Sequence, residues 1–384
     1  MRIRGLVTAS FCAAFVILSS THAVAVFKIG NITSTTGPYA SMGVANTEGV
    51  YLLVDKINKA GGIYGEKIEV ITEDHEGEAS KALTIAKKMI YDDKVIAIIG
   101  PTTTAGLMAA ARVCNEAKVP HIALAPRPTN EPVQKYTFQT VPDKTLDAEA
   151  IARFAVEDLK LKKLAILHDT NSYGTTGAES EIKVLQKLGF SPVAVEKFMQ
   201  ADRDTTPTLI KIRNAGADGL IVWGTVNVPA VIARDMQKLG MKIPFIGSSG
   251  VLSLKFIELA GEAAEGCYTT SALNFGAPLP NEQDLFTLNK AKYNRDPSYF
   301  TALGYDAVLL FAKAFEIAKS KDPEKIRDAL ESIRNLPGSM GVYNMSPTDH
   351  TGLSYKDLKI IKIINGRPIS IKQFSNSGTP KALR

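Results

Sequence analysis

Three hydroxyls in a row, Thr102, Thr103 and Thr104, follow an apolar run that stops at Gly100–Pro101. A second apolar run, VPHIALA, ends in the turn APRPTN, which carries Arg127 and Thr129. Hydroxyls and free N–H groups at the start of a helix attract an anion, since the first amides of a helix lack intrahelical acceptors and its dipole is positive there. Arg127 adds a planar cationic fork suited to a carboxylate. Two plainer readings stay open: the threonines cap the helix that follows, and Arg127 is a surface side chain. Three later loops sit in the same way beyond apolar runs: DTNSYG after KLAILH, WGTVN after DGLIV, and GSSG after IPFI. Tyr39, Tyr173 and Trp223 are candidates to wall an apolar pocket with a few polar anchors. Each is also compatible with plain packing, and Trp223, at a strand end, is the strongest of them.

Covalent chemistry finds little support. The chain has no G-x-G-x-x-G after a strand, no phosphate-binding G-x-x-x-x-G-K-[ST], no H-E-x-x-H and no G-x-S-x-G. His75, His121, His168 and His350 are scattered without metal-ligand spacing. His168, Asp169 and Ser172 come nearest to a triad, but neighbours on a strand point to opposite faces. The acidic run Glu73–Glu78 reads as a solvated loop before a helix rather than a metal loop. No catalytic residue, metal or cofactor is expected.

The elements that must hold these loops alternate in period. FKIGNIT, KIEVITED, KVIAIIG and VPHIALA read as strands; Glu48–Lys59, Ala79–Asp92 and Leu107–Ala117 have helical spacing. Such alternation means βαβ units and a parallel sheet. It then restarts. Leu146–Leu159, Gly177–Leu188, Thr206–Asn214 and Pro229–Leu239 are helical; KLAILHD, SPVAVEKF, DGLIVWG, IPFIGSS and GCYTTSAL are strands. Two successive α/β sets argue for two lobes. Ala277–Pro280 looks like a crossing between them. Asn281–Lys319 is mostly helical, and LKIIKIING with RPISIKQF forms a strand pair turning near Asn365–Gly366.

The chain of 384 residues is long enough for two domains, and 45% hydrophobic with 22% charged residues is ordinary for a globular protein. Arg2 and Arg4, an apolar run from Leu6 to Leu18, and Ala23-Val24-Ala25 together read as a secretory signal. A membrane anchor is the alternative, though the run is short for a span. Cys12 lacks a lipid-attachment context. Removing both arginines takes the formal charge from +6 to +4, and the remaining charges of both signs are interleaved. Such a surface is no nucleic-acid footprint. Cys114 sits in a helical pattern and Cys267 opens a strand, so two buried free thiols are expected, although an exported protein could join them in a disulfide.

The chain resembles the periplasmic branched-chain amino acid-binding proteins, the type I solute receptors of ABC importers. The likeness runs over nearly the whole mature chain. It rests on FKIGNITSTTGPYASMG, DKINKAGGIYGEKIEVITED, VIAIIGPTTTAG, VPHIALAPRPTN, LAILHDTNSYG, GLIVWGTVNVPAVIARDMQKLGMKIPFIGSSG and AGEAAEGCYTT, in that order. The resemblance implies an α/β protein of two Rossmann-like lobes with parallel sheets, joined by a three-stranded hinge. The segments are then a signal at 1–25, one lobe from 26–142 with 275–346, and a second from 143–274 with 347–384. The implied carboxylate site takes Thr103 and Thr104, the Ala125 backbone, Arg127 and Thr129. Tyr39, Tyr173, Trp223 with Gly224, and Phe300 or Tyr299 supply the walls.

One departure matters. Members that bind amino acids carry an acid in the loop that here reads GSSG, and it pairs with the α-ammonium; Ser249 stands there instead. The resemblance then implies a small carboxylate without an α-amino group, an aromatic or α-keto acid, with an importer permease as partner. Arg127 is a candidate second carboxylate contact. A branched-chain amino acid or amide ligand is the alternative, and a signalling sensor of the same fold or a secreted hydrolase are further ones. The expected site is the periplasm, with no nucleic-acid partner and no membrane insertion after signal removal.

Overall fold

A computed structural model describes residues 26–128, 131–374 and 381–382. The expected signal segment and Thr129 lie outside them. The first α/β set is β1 (Val26–Thr33), α1 (Ala40–Lys59), β2 (Lys67–Asp74), α2 (Ala79–Tyr91), β3 (Ala97–Ile99), α3 (Thr104–Glu116), β4 (His121–Ala123) and β5 (Thr137–Gln139). These strands form one parallel sheet in the order β2-β1-β3-β4-β5. The middle strands β3 and β4 are buried throughout. Sandwiched parallel strands read as unbroken apolar runs, which is why VIAIIG and HIALA are legible. The short β5 carries the mixed sequence TFQ and has no such signal.

The second set comprises α4 (Lys144–Arg153), β6 (Leu164–Asp169), α5 (Ser172–Lys187), β7 (Ala194–Phe198), α6 (Thr206–Asn214), β8 (Gly219–Trp223), α7 (Asn227–Lys238), β9 (Phe245–Gly247), α8 (Leu254–Ala260) and β10 (Tyr268–Ser271). The chain then gives α9 (Gln283–Tyr293), α10 (Tyr299–Ala318), α11 (Pro323–Ser332), the ribbon β11 (Leu336–Gly338) with β12 (Gly341–Tyr343), and β13 (Lys359–Ile364), β14 (Arg367–Gln373) and β15 (Lys381–Ala382). The second sheet runs β15-β14-β13-β10-β9-β8-β6-β7. It is parallel from β7 to β10, and β13 joins β10 antiparallel. Asn365 and Gly366, with φ of 52° and 69°, make the two-residue turn between β13 and β14. Both positions need the left-handed region, which an Asn-Gly pair tolerates.

Helix starts are where the sequence reading falls short. Leu107 was the expected first residue of α3, yet the helix begins at Thr104, because Thr103 Oγ1 accepts the Gly106 amide and caps it. Likewise α1 starts eight residues before Glu48. The helical stretch from Leu146 ends as expected near Leu159, but its last turn, Phe154–Asp158, is π-helical.

After the second set the chain returns to the first lobe, where α10 packs along α1. The contact is close because each helix offers the other a glycine. A methyl group on Gly49 would stand 1.9 Å from the Thr301 carbonyl oxygen, and one on Gly304 would stand 1.9 Å from that of Asn46. Backbone cannot yield that much cheaply. The contact holds the N-terminus of α10, with Tyr299 and Phe300, beside the strand ends of the first sheet. Cys114 and Cys267 are buried free thiols, and burial pushes the Cys267 thiol up to about 12.

Candidate functional site

The carboxyl ends of both sheets face one cavity, with about 610 Å³ of atom-free space including its mouth. That is the position expected of a small-molecule site in open α/β sheets. Three helices with side-chain caps begin on its wall: α3 through Thr103–Ala105, α5 through Asn171–Tyr173, and α10 through Tyr299 and Phe300. Their side-chain caps are in place. Thr103 serves Gly106, Asn171 serves Gly174, and Ser298 serves Thr301. The amides of the first two residues of each helix have no acceptor within the helix. Among the described residues, the lining contains no Asp, Glu, Lys, Arg or His.

Hydroxyl polarity differs around the wall. Thr102 Oγ1 accepts from Asn46 Nδ2 at 3.5 Å, and Thr103 Oγ1 accepts from Gly106 at 3.2 Å. Each therefore keeps its hydrogen for another partner. Thr104 donates its hydrogen to the Pro126 carbonyl at 3.1 Å. The capping reading of the threonines thus holds in part: Thr103 caps α3, Thr104 ties it to the turn after β4, and all three still line the cavity. Behind them the buried His121 ring bonds the Gly100 carbonyl, and burial lowers its pKa to about 4.

In the second lobe Tyr173 Oη donates to Ser248 Oγ and accepts from the Gly250 amide, both at 3.1 Å. Ser249 lines the cavity, but its hydrogens point the other way. Its amide (3.2 Å) and its hydroxyl (2.9 Å) donate to Asp147 Oδ2, and Thr270 donates to Asp147 Oδ1. Asp147 is a buried acid from α4. Burial raises its pKa, and the bonds from Thr270 and Ser249 oppose the rise. The expectation that no acid stands near Ser249 is corrected here: Asp147 does, one atom layer behind the wall. Sequence gave no sign of it, because 102 residues separate the two.

Three other expected site residues need correction, and the dismissed triad-like cluster is placed with them. Trp223 does not wall the cavity. It is fully buried, packed behind Tyr173 at 5.8 Å between ring centroids, and donates from Nε1 to Glu181 Oε2 at 3.2 Å. A methyl on Gly177 of α5 would sit 2.0 Å from its ring, so the indole is wedged between helix and sheet. Gly224 is also off the wall and presses against Phe198 and Pro229. Arg127 faces away from the cavity, with its guanidinium on the carbonyls of Glu131 and Pro128 and 3.7 Å from Asp143 Oδ2. His168 and Asp169 form no triad, since His168 Nδ1 faces the Asp169 carbonyl while the Asp169 carboxylate holds Asn171 and Gln200.

Tyr39, Thr103, Thr104, Ala125, Tyr173, Ser249, Tyr299 and Phe300 do come together on the wall. Sequence reasoning passed over Thr102 as a single residue, and missed Met42, Val141, Thr225 and Leu303. Thr102 carried a signal in the threonine run, and Thr225 in the strand-end loop WGTVN; the apolar three carried none. The two lobes touch across the mouth. Asn171 Nδ2 reaches Tyr39 Oη, and Asn227 Nδ2 reaches the Pro38 carbonyl, each at 3.3 Å.

A profile described as "Periplasmic binding protein" matches residues 26–366. The chain belongs to this periplasmic binding protein family. Two relatives come from Pseudomonas aeruginosa. One, an "Amino acid binding protein", is 30% identical over 82% of this chain and 84% of its own. The other, a "Leucine-, isoleucine-, valine-, threonine-, and alanine-binding protein", is 29% identical over 79% and 82%. Among solved structures, a leucine binding protein of Thermotoga maritima superposes with a TM-score of 0.85 at 25% identity, covering 92% of this chain and all of its own. The branched-chain amino acid transporter substrate binding protein LivJ of Streptococcus pneumoniae, in complex with isoleucine, gives 0.82 at 26% identity over 93% and 99%. As a member of this family the chain is a solute-binding protein with two α/β lobes. No helix among the described residues is long and apolar enough to cross a membrane.

Proposed function

We propose that this solute-binding protein works in the periplasm for an ABC importer and closes its lobes on a small organic carboxylate that lacks a charged amine. The observation that carries this reading is the wall: three side-chain-capped helix N-termini begin on it, and among the described residues no charged side chain lines it. Amides and the hydrogens of Thr102 and Thr103 can hold a carboxylate there. An ammonium would be buried without a carboxylate on the wall, which costs several kcal/mol. Tyr39, Tyr173 and Phe300 provide flat apolar faces for an aromatic or branched acid. The crossings near 142–143, 274–275 and 346–347 act as the hinge, and the Asn171–Tyr39 and Asn227–Pro38 bonds latch the closed form. A permease in the membrane then reads that closed surface.

A branched-chain amino acid is the second reading, favoured by the names of the relatives and by Asp147 behind Ser249. Titration calorimetry of the mature protein separates the two. With benzoate, 4-methyl-2-oxopentanoate and leucine as probes, the acids should bind at least a hundredfold more tightly than leucine. Leucine binding as tightly as either acid overturns the proposal.

A further inference from the structure

One corner of the cavity holds a polar atom with nothing to bond. Tyr299, at the start of α10, is 2% exposed and lines the cavity, and its hydroxyl has no hydrogen-bond partner. A buried unpaired hydroxyl is costly, so such an atom marks a place where something else belongs. Burial raises its pKa well above the usual value; the charge of Asp147 adds to this, and the nearby Ser249 hydroxyl works against it. Tyr299 and Ser249 both line the cavity, and Asp147 stands behind Ser249.

The direction of the hydrogen bonds there is set by the carboxylate. Asp147 accepts from the Ser249 amide, the Ser249 hydroxyl and Thr270, so the Ser249 hydrogen is committed to it. What Ser249 Oγ has left is a lone pair. Tyr173 Oη is already spent in both directions. The corner therefore offers one acceptor, Ser249 Oγ, and one free hydroxyl, Tyr299 Oη, that can donate. We infer that this corner recognises a hydroxyl group on the ligand, so the preferred solute is a hydroxy carboxylate rather than its keto, amino or unsubstituted counterpart. A ligand hydroxyl donates to Ser249 and accepts from Tyr299, satisfying both atoms at once. A ketone accepts from Tyr299 but turns a lone pair toward Ser249. An ammonium brings a positive charge to a wall that carries no carboxylate.

This inference rests on the reading of the cavity as a carboxylate site, and the test separates the two. Calorimetry of the mature protein uses matched probes: 2-hydroxy-4-methylpentanoate against 4-methyl-2-oxopentanoate, 4-methylpentanoate and leucine; 3-phenyllactate against phenylpyruvate, 3-phenylpropanoate and phenylalanine; and 4-hydroxybenzoate against benzoate. In at least one series the hydroxy acid should bind roughly tenfold more tightly than its partners, the effect of a well-made buried hydrogen bond. Tyr299→Phe removes an unpaired hydroxyl without changing shape, so the variant keeps its fold and should erase that advantage; Ser249→Ala should do the same. Keto or unsubstituted acids binding equally well, or a hydroxy advantage that survives Tyr299→Phe, would overturn the inference and leave the carboxylate reading standing. An amino acid as the tightest probe, or no binding in any series, brings down the carboxylate reading and this inference with it.

Discussion

The two walls of the cavity solve the problem of buried polarity in opposite ways. The first-lobe wall is built from hydroxyls and helix ends, and the group behind it, His121, is held neutral by burial. The second-lobe wall has ionisable groups packed behind it: Lys144, Asp147 and Glu181 are 1%, 4% and 0% exposed. Lys144 Nζ donates to Thr176 Oγ1 at 2.5 Å and lies 5.3 Å from the centre of the Tyr173 ring. Glu181 holds Trp223, and burial lifts its pKa well above the usual range, with Asp147 adding to the rise. The first wall thus offers polarity that is insensitive to pH and open to a ligand. The second spends most of its polarity on itself, at a cost in desolvation, and at Ser249 leaves an acceptor facing the first lobe's Tyr299 across the cavity wall.

If that contrast is right, losing one group should hurt the second wall most. Asp147→Ala leaves the Ser249 amide, the Ser249 hydroxyl and Thr270 without an acceptor, and should cost about 3 kcal/mol of stability in urea unfolding. Thr103→Ala, on the first wall, removes only a helix cap and should cost about 1 kcal/mol. Equal costs would erase the distinction.

The pH dependence should follow the second wall as well. Burial lowers the Lys144 pKa from 10.5 to about 7, while Asp143 and Glu179 pull the other way. Between these two values the unfolded chain binds more protons than the folded one, so stability should rise with pH across that window. Lys144→Met should flatten this rise, which is on the order of 3 kcal/mol. A wild-type curve that is flat or falls from pH 7 to 10, once other groups are matched by the variant, would show Lys144 to be neither desolvated nor neutral.

The smallest effects should separate hydroxyls within the first wall. Thr102→Val removes a free donor and should weaken benzoate or 4-methyl-2-oxopentanoate by roughly tenfold in calorimetry. Thr104→Val removes a hydrogen already given to Pro126 and should cost less than about threefold on the same scale. Arg127→Ala is the control: its guanidinium is held by loop carbonyls and Asp143, so affinity should hold within about twofold. A larger loss at Arg127 than at Thr102 would move the anion site into the turn after β4.

The alternation of elements was legible because buried parallel strands are continuous apolar runs and the helices between them are amphipathic. The loops at strand ends were legible for the same reason, and with them the first wall. Trp223 shows the limit. Every residue of β8 is buried, so period gives no clue to which side a side chain takes, and an aromatic at the strand end reads equally well as wall or as backing. Asp147 shows another. It carries a pattern typical of a helix and acquires its meaning only from Ser249 and Thr270, which tertiary folding brings to it. Local sequence could reveal where a ligand approaches the backbone, but not which way the hydrogens behind that surface point.

The indole behind Tyr173 is the chain's one tryptophan. Its ring is clasped by α5, its nitrogen leans on an acid, and its neighbour forms part of the solute chamber. Any shift of Tyr173 must alter the surroundings of this single indole. On the proposed closure, the protein carries an optical gauge of capture in one indole that no second tryptophan obscures.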